Sequence, residues 1–307
     1  MENKNYNNDF IIVMYHHIAK DNKFLYAINN KRFEQQIRYF KKNYNILKPG
    51  EFYNKLRENN FKKKDCILTF DDGYQSHYKY AYKTLNKYNL KGFFYPIMLG
   101  SVSSKIHPLN KIQIILKLSN DKIKILEEIK LFIKKNDEKT YKNLKKIIKK
   151  IKTKNFYDDA TSIIIKRLLQ RDLPFLLREK ICDNLFKRIK FKKNSLKNFY
   201  MNDIQLRKLK KDGHEIGVHT KSHLWMSSLS ELKQKKEIND SLEYLRRKKL
   251  IGKTWSFCYP FGDYNHLTIK ILKKLNCSAA FAVKNEPMKT KKINKFELSR
   301  LDCNKFL

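Results

Sequence analysis

The sequence predicts an α/β fold, a parallel sheet or barrel interrupted by a helical insertion. Three observations predict it. From residue 10 to about residue 100, short β-branched and aromatic runs alternate with segments of helical periodicity. The same alternation resumes after Met201. Between them lies a Lys-rich stretch with helical spacing and no strand alternation. The expected division is therefore 1–100 and 199–307 for the two parts of the barrel, with 101–198 as the insertion.

Phe10 to Ile18 reads as a first strand, and Tyr15-His16-His17 stands at its end. Phe33, Ile37, Phe40 and Tyr44 fall on one helical face. Pro49 opens a second helix with Phe52 and Leu56 on one side. Cys66 to Phe70 is a buried strand leading into Asp71-Asp72-Gly73, where the glycine allows a sharp turn. Tyr78 to Tyr88 reads as a helix and Gly92 to Ile97 as a strand. The insertion contains periodic segments at Lys111–Leu118, Ile123–Lys134 and Tyr141–Ile151, and a proline step at Leu173-Pro174. It carries roughly 27 Lys and Arg against roughly 10 Asp and Glu. Beyond it, Asn202 to Lys210 is a short helix closed by Asp212-Gly213, and His214 to Thr220 is a strand. Ser227 to Lys249 is a long helix opened by the capping-box pattern Ser228-x-x-Glu231. Thr254 to Tyr259, Ser278 to Val283 and Leu298 to Asp302 are the remaining strands, with a helix at His266 to Leu275.

With 307 residues, 41% hydrophobic and 13% aromatic, the chain can bury a sizeable core. Its net charge of +38 has two readings, an anionic partner or a generally Lys-rich composition. No nucleic-acid-binding module and no arginine-rich tract is present, so no specific nucleic acid is expected. A weak attraction to anionic membrane surfaces is open under either reading. Cys66, Cys182, Cys258, Cys277 and Cys303 are scattered, without a C-x-x-C, and suit free thiols in a reducing compartment. The first nine residues are polar, with no signal-peptide core, and no apolar run reaches about 18 residues. The expected location is the cytoplasm, with peripheral membrane contact open.

Four polar clusters fall at the C-terminal ends of expected strands: Tyr15-His16-His17, Asp71-Asp72, His219 with His223, and Tyr259-Pro260-Phe261. In α/β barrels that end gathers the active-site loops. Two adjacent carboxylates at the tip of a buried strand need a cation, a shared proton or a neutralising partner. Alone the pair reads equally as a strand-end turn. His219 and His223 are four apart, so one helical turn would place both on one side of a cation. An isolated H-x-x-x-H is usually incidental. Joined to one carboxylate, it forms a two-His, one-carboxylate set with open positions for water and substrate. Imidazole suits Zn²⁺ first, with Co²⁺, Ni²⁺ or Fe²⁺ as alternatives. The other Asp is then placed to act as a general base.

The TFDDGY at 69–74 and the HTKSH at 219–223 together resemble the polysaccharide deacetylases of the NodB-homology group, carbohydrate esterase family 4. Gly213 to His219 resembles that family's approach to its histidine motif. Tyr259-Pro260-Phe261-Gly262 and Tyr15-His16-His17-Ile18 resemble the poly-N-acetylglucosamine deacetylase subgroup. The resemblance covers about 10–100 and 200–302 and leaves out the insertion. It implies a distorted (β/α)7-type barrel and hydrolysis of an N-acetyl group on an N-acetylhexosamine unit of a carbohydrate. It further implies Asp71 as general base, and Asp72, His219 and His223 as ligands of a divalent metal. The backbone N–H of Phe261, after Pro260, would hold the oxyanion, with Tyr74 and Tyr259 at the substrate. His16 matches the subgroup's general acid, and strand alternation points His17 to the opposite face.

The chain departs from the family pattern in two places. The family often carries an arginine two residues before the motif proline, to pair with the catalytic Asp. Cys258 stands there instead. Arg300 could supply the charge, or it could be a surface residue of the last strand. Most relatives also carry a signal peptide and act on exported glycans, so a cytoplasmic member would act on a precursor such as a nucleotide- or lipid-linked sugar. The rival reading is a catalytically inactive glycan-binding protein on the same fold.

Overall fold

The computed structural model of the chain describes residue 6 and residues 9–20, 27–103, 106–153, 158–189, 199–290 and 292–306. Parts of the expected insertion, at 104–105, 154–157 and 190–198, lie outside the described residues. The chain divides into two compact units. The first comprises 1–22, 26–105 and 197–307; the second comprises 23–25 and 106–196.

In the first unit, strand β1 (Ile11–Tyr15) is followed by the short pair β2 (Ile18–Ala19) and β3 (Ile28–Asn29). Helix α1 (Asn30–Asn43) leads to β4 (Asn45–Ile46), and Pro49 starts α2 (Pro49–Glu58). Strand β5 (Asp65–Asp72) runs through both aspartates. A π-helical segment, His77–Tyr82, and α3 (Lys83–Lys87) replace the single helix expected there. Strand β6 (Phe93–Pro96) and α4 (Met98–Val102) follow. After the second unit come α10 (Asp203–Lys211), β7 (Glu215–Ile216), α11 (Glu231–Arg247), β8 (Ser256–Cys258), α12 (His266–Lys274), β9 (Ala279–Val283) and β10 (Leu298–Asp302). The capping box expected at Ser228 is absent: Ser228 closes a 3₁₀ turn and Ser230 is the α11 N-cap.

All sheet pairings are parallel, in the order β7-β6-β5-β1-β10-β9-β8, with β4 beside the start of β5. One bridge, Val218 to Phe257, joins the two ends of this order and closes the ring. The result is a distorted seven-stranded α/β barrel. Strand alternation splits its core. Phe10, Ile12, Ile67, Phe93, Phe281 and Leu298 pack in one cluster, while Ile11, Val13, Cys66, Leu68, Phe94 and Leu301 pack in another. Thr69 and Asp71 share the face of Ile67, and Arg300 shares the face of Leu298. That periodicity brings the charged groups together at one end of the lumen.

The second unit is helical: α5 (Pro108–Leu118), α6 (Lys122–Asn136), α7 (Glu138–Lys149), α8 (Ala160–Arg167) and α9 (Phe175–Arg188). It has a separate aliphatic core that includes Ile115, Ile129, Ile133, Leu144, Ile165, Leu168 and Ile181. Asp121, Asp137 and Asp159 cap helices α6, α7 and α8 by accepting backbone N–H bonds.

Candidate active site

Arg300 and Asp71 meet across β1, which lies between their strands. Nη1 donates to Asp71 Oδ1 at 2.8 Å and Nη2 to Oδ2 at 2.7 Å, a bidentate fork. Nη1 also reaches Thr69 Oγ1 at 3.1 Å, and that hydroxyl donates to the Val13 carbonyl at 2.9 Å. Both charged side chains are buried. Burial by itself raises the Asp71 pKa, but the Arg300 charge and hydrogen bonds overcome it and hold the carboxyl at about 2. Cys258 Sγ lies 3.5 Å from Asp71 Oδ2. The charge that Cys258 cannot supply therefore comes from Arg300. His16 Nε2 is 4.0 Å from Asp71 Oδ2, and the His16 side chain is 30% exposed.

Asp72 adopts a left-handed conformation, φ 71°, as does Gly73. A Cβ on Gly73 would come within 2.7 Å of Pro96 Cα, so the turn tolerates only glycine there. Tyr74 Oη donates to Asp72 Oδ2 at 2.6 Å. The other oxygen, Oδ1, faces His219 Nε2 at 3.5 Å and His223 Nε2 at 3.4 Å. His219 Nδ1 lies 2.8 Å from the Cys258 carbonyl, which can only accept. The Nδ1 proton is thereby fixed, and Nε2 presents its lone pair to the carboxylate. Asp72 Oδ1 and His219 Nε2 are buried without a hydrogen-bond partner. Buried polar atoms are nearly always paired, so two facing acceptors call for a positive charge between them. One donor atom from each of Asp72, His219 and His223 lies within 4.8 Å of the others, a set that fits a divalent cation. Asp71, His219 and Cys258 have similar spacing, but Arg300 already engages both oxygens of Asp71. Without a cation, the site attracts a proton. Burial opposes it, but the Cys258 side chain and the Asp72 and Asp71 carboxylates raise the His219 pKa well above the usual imidazole value.

The two histidines do not converge through a helical turn. The regular strand ends at Ile216, and His219 to His223 form an irregular loop with Thr220 at φ 62° and His223 at φ 48°. Two left-handed residues turn the chain back on itself, and Thr220 Oγ1 accepts the His223 N–H at 3.0 Å. Glu237 of α11 holds the loop from below, accepting the Ser222 N–H at 2.8 Å. Gly217 explains the shortened strand. A Cβ there would stand 2.1 Å from Tyr95 Cε1 and 3.0 Å from the Ser256 carbonyl.

His16 and His17 part company as alternation requires. His17 stacks on Tyr74 with ring centres 4.4 Å apart, and its Nδ1 lies 2.9 Å from Ser76 Oγ. Tyr74 and Tyr259, expected at the substrate, lie elsewhere. Tyr74 is 1% exposed and supports Asp72, while Tyr259 is fully buried and donates to the Phe296 carbonyl at 2.9 Å. Tyr259 belongs to the barrel core and Tyr74 stacks on His17, so both rings are buried. Pro260 and Phe261 belong to a tight turn with Phe261 at φ 57°. The Phe261 ring lies 4.5 Å from His223 and stacks on Trp225 at 4.6 Å. The sequence reading missed Trp225, although a tryptophan two residues after a candidate ligand histidine is itself a signal. It also missed His77, fully buried, whose Nε2 donates to the His16 carbonyl at 2.6 Å and so fixes the backbone of that residue.

The chain is similar to known proteins in sequence and in fold. The family model described as polysaccharide deacetylase matches residues 58–113 and 178–280. A curated relative, YxkH of Bacillus subtilis (strain 168), whose name places it among the polysaccharide deacetylases, is 35% identical over 99 residues. That match spans 31% of this chain and only 34% of the relative. Among solved structures, the Streptococcus pyogenes deacetylase PplD in complex with acetate aligns over 96% of this chain and 92% of its own, with 19% identity and a TM-score of 0.59. IcaB from Ammonifex degensii aligns over 96% and 91%, with 16% identity and a TM-score of 0.58. At these identities the likeness is one of fold. With motifs, barrel and family match in agreement, the chain belongs to the polysaccharide deacetylase family.

Proposed function

We propose that the protein is a metal-dependent N-deacetylase acting on N-acetylated amino-sugar units of a glycan or glycan precursor. The observation that carries this reading is the pair of facing acceptors, Asp72 Oδ1 and His219 Nε2, beside a carboxylate clamped by arginine. Asp72, His219 and His223 would hold the cation, with Zn²⁺ the first candidate on ligand chemistry. When bound, a cation there supplies Lewis acidity to an amide carbonyl and to water. Asp71 stays ionised because Arg300 faces it, and it is oriented to take a proton from the attacking water. His16, close to Asp71 and partly open to solvent, would return a proton to the departing amine. The backbone N–H of Phe261 would serve as the oxyanion donor, since those of Gly262 and Asp263 already bond the Tyr259 and Pro260 carbonyls. The Phe261–Trp225 stack offers an apolar wall beside His223 for the acetyl group or sugar ring. Tyr74 and His77 act through others, steadying Asp72 and His16.

The test is acetate release by metal-stripped protein, with and without added Zn²⁺ or Co²⁺, from a chitin oligomer and from a nucleotide-linked N-acetylhexosamine. Metal-restored release, reduced at least about 100-fold by Asp71→Asn, is the expected result, and the better substrate separates a finished glycan from a precursor. Tight metal binding with no release from either substrate would favour the binding-only reading.

A further inference from the structure

The second unit carries a patch that deacetylation does not use. Between residues 139 and 152 the chain has seven lysines and no carboxylate. Lysine makes up half of this stretch, while Lys and Arg together number 68 of 307 residues in the whole chain. The general basicity of the protein therefore does not account for the cluster. Lys139, Lys142, Lys145, Lys146, Lys149, Lys150 and Lys152 are all exposed. The apolar side of the same segment is committed inward: Leu144 and Ile151 are buried in the helical core, and Ile147 and Ile148 pack against it. Within this segment Lys142 alone pairs with a carboxylate, that of Glu138, at 2.9 Å on the open surface. Such an exposed pair neutralises little.

Apolar side chains stand beside these charges. Tyr141 of α7 is 37% exposed, and Lys134 of the adjoining α6 lies over its ring at 5.9 Å. Leu131, one turn before Lys134, is 64% exposed, and Ile123 on the same helix is 67% exposed. Lysines alone would suit any polyanion. Lysines interleaved with a tyrosine and exposed aliphatic groups suit a surface with anionic heads above hydrocarbon, where the ammonium groups stay at the phosphates and the apolar groups enter between them.

We propose that the lysine face of α7, with Leu131 and Tyr141, docks the protein on an acidic phospholipid bilayer. Each lysine near such a surface adds roughly 1 kcal/mol, so four to seven suffice for reversible attachment at moderate salt. The attachment is independent of the cation site and of the substrate, so it can be tested whether or not the deacetylase reading holds.

The experiment is co-sedimentation of the full chain with vesicles of phosphatidylcholine alone or mixed with phosphatidylglycerol, across a salt series. Binding only to the phosphatidylglycerol vesicles, weakening as salt rises, is expected. The variant K142E/K145E/K146E/K149E should weaken it by about 100-fold or more. The control K62E/K63E/K253E/K274E changes net charge equally at exposed positions of the first unit and should retain most of the binding. Leu131→Asp should weaken binding with the charge cluster intact. Equal losses in both quadruple variants would overturn the proposal, because net charge alone would then be responsible. So would binding to duplex DNA or heparin without binding to acidic vesicles. Circular dichroism melts of each variant separate lost docking from lost folding.

Discussion

Arg300 holds the proposed general base, Asp71, and is at the same time a structural liability. Its guanidinium and the Asp71 carboxylate neutralise each other where both side chains are buried. Removing one partner strands the other charge. Arg300→Met should cost about 3–5 kcal/mol of stability by denaturant titration, and Asp71→Asn in the same background should recover part of it. Buried histidines create a second dependence, on pH. His214 Nδ1 accepts the Gly92 N–H at 3.1 Å, so a proton there would set two N–H groups against each other. Burial, with the Lys91 charge adding to it, lowers the His214 pKa to about 3. His17 and His77 are lowered to about 3 and 4, chiefly by burial. Below about pH 6.5 the unfolded chain takes up protons that the folded chain refuses. Stability should therefore fall as pH drops from 6.5 toward 4, and His214→Gln should flatten that slope by about one proton. Urea midpoints across this range measure it. The candidate ligand residues stand in the sequence as DDG and H-x-x-x-H, and the structure brings Asp72, His219 and His223 together. The role of Arg300 was legible only as an alternative, because its partner lies 229 positions away and topology alone joins them. His77 left no signal, since it acts on the backbone carbonyl of His16 and any strong donor could fill that part.

At the scale of elements, periodicity located the seven barrel strands and most helices of the first unit, and it missed the short elements β2, β3, β4 and α4. It failed where side chains adopt backbone conformations they usually avoid. The stretch 214–220 reads as a strand from composition, but a strand there would carry His219 away from Asp72. Thr220 and His223 take left-handed conformations although neither is glycine, and the backbone N–H bonds that the Thr220 and Glu237 side chains accept offset that strain. No one-dimensional pattern encodes such compensation. The π-helical segment His77–Tyr82 was illegible for a similar reason: its residues have ordinary helical spacing, and the wider turn places His77 under His16. Gly217 is the tightest point of this region. Gly217→Ala should cost about 1–3 kcal/mol by displacing Tyr95, and it should weaken Zn²⁺ binding because His219 is two residues on. Isothermal titration of the metal-stripped variant measures the second effect.

The whole molecule combines a barrel, visible in its alternating rhythm, with a helical unit visible as a Lys-rich break of helical spacing. Composition marked the break but not its internal packing, since the Lys-rich helices bury a modest aliphatic face each. In the barrel, six of the seven joints between strands are ordinary sheet pairings. The seventh is the single bridge at Val218, secured by the bonds from Val218 N to the Ser256 carbonyl and from Cys258 N to the Val218 carbonyl, each 2.9 Å. His219 follows at once, and its ring is tied to Cys258 across the same joint. The ring is thus fastened at its thinnest seam, and a cation held by Asp72 of β5 and His219 would reinforce that fastening. Amide hydrogens at Val218 and Cys258 should exchange with deuterium faster than those of β1 and β5 in metal-stripped protein, and slow selectively when Zn²⁺ is added. On this view the ion serves as a clasp on a hoop: the protein would sense its metal status through its own closure, and a starved molecule would come apart first at the place where it works.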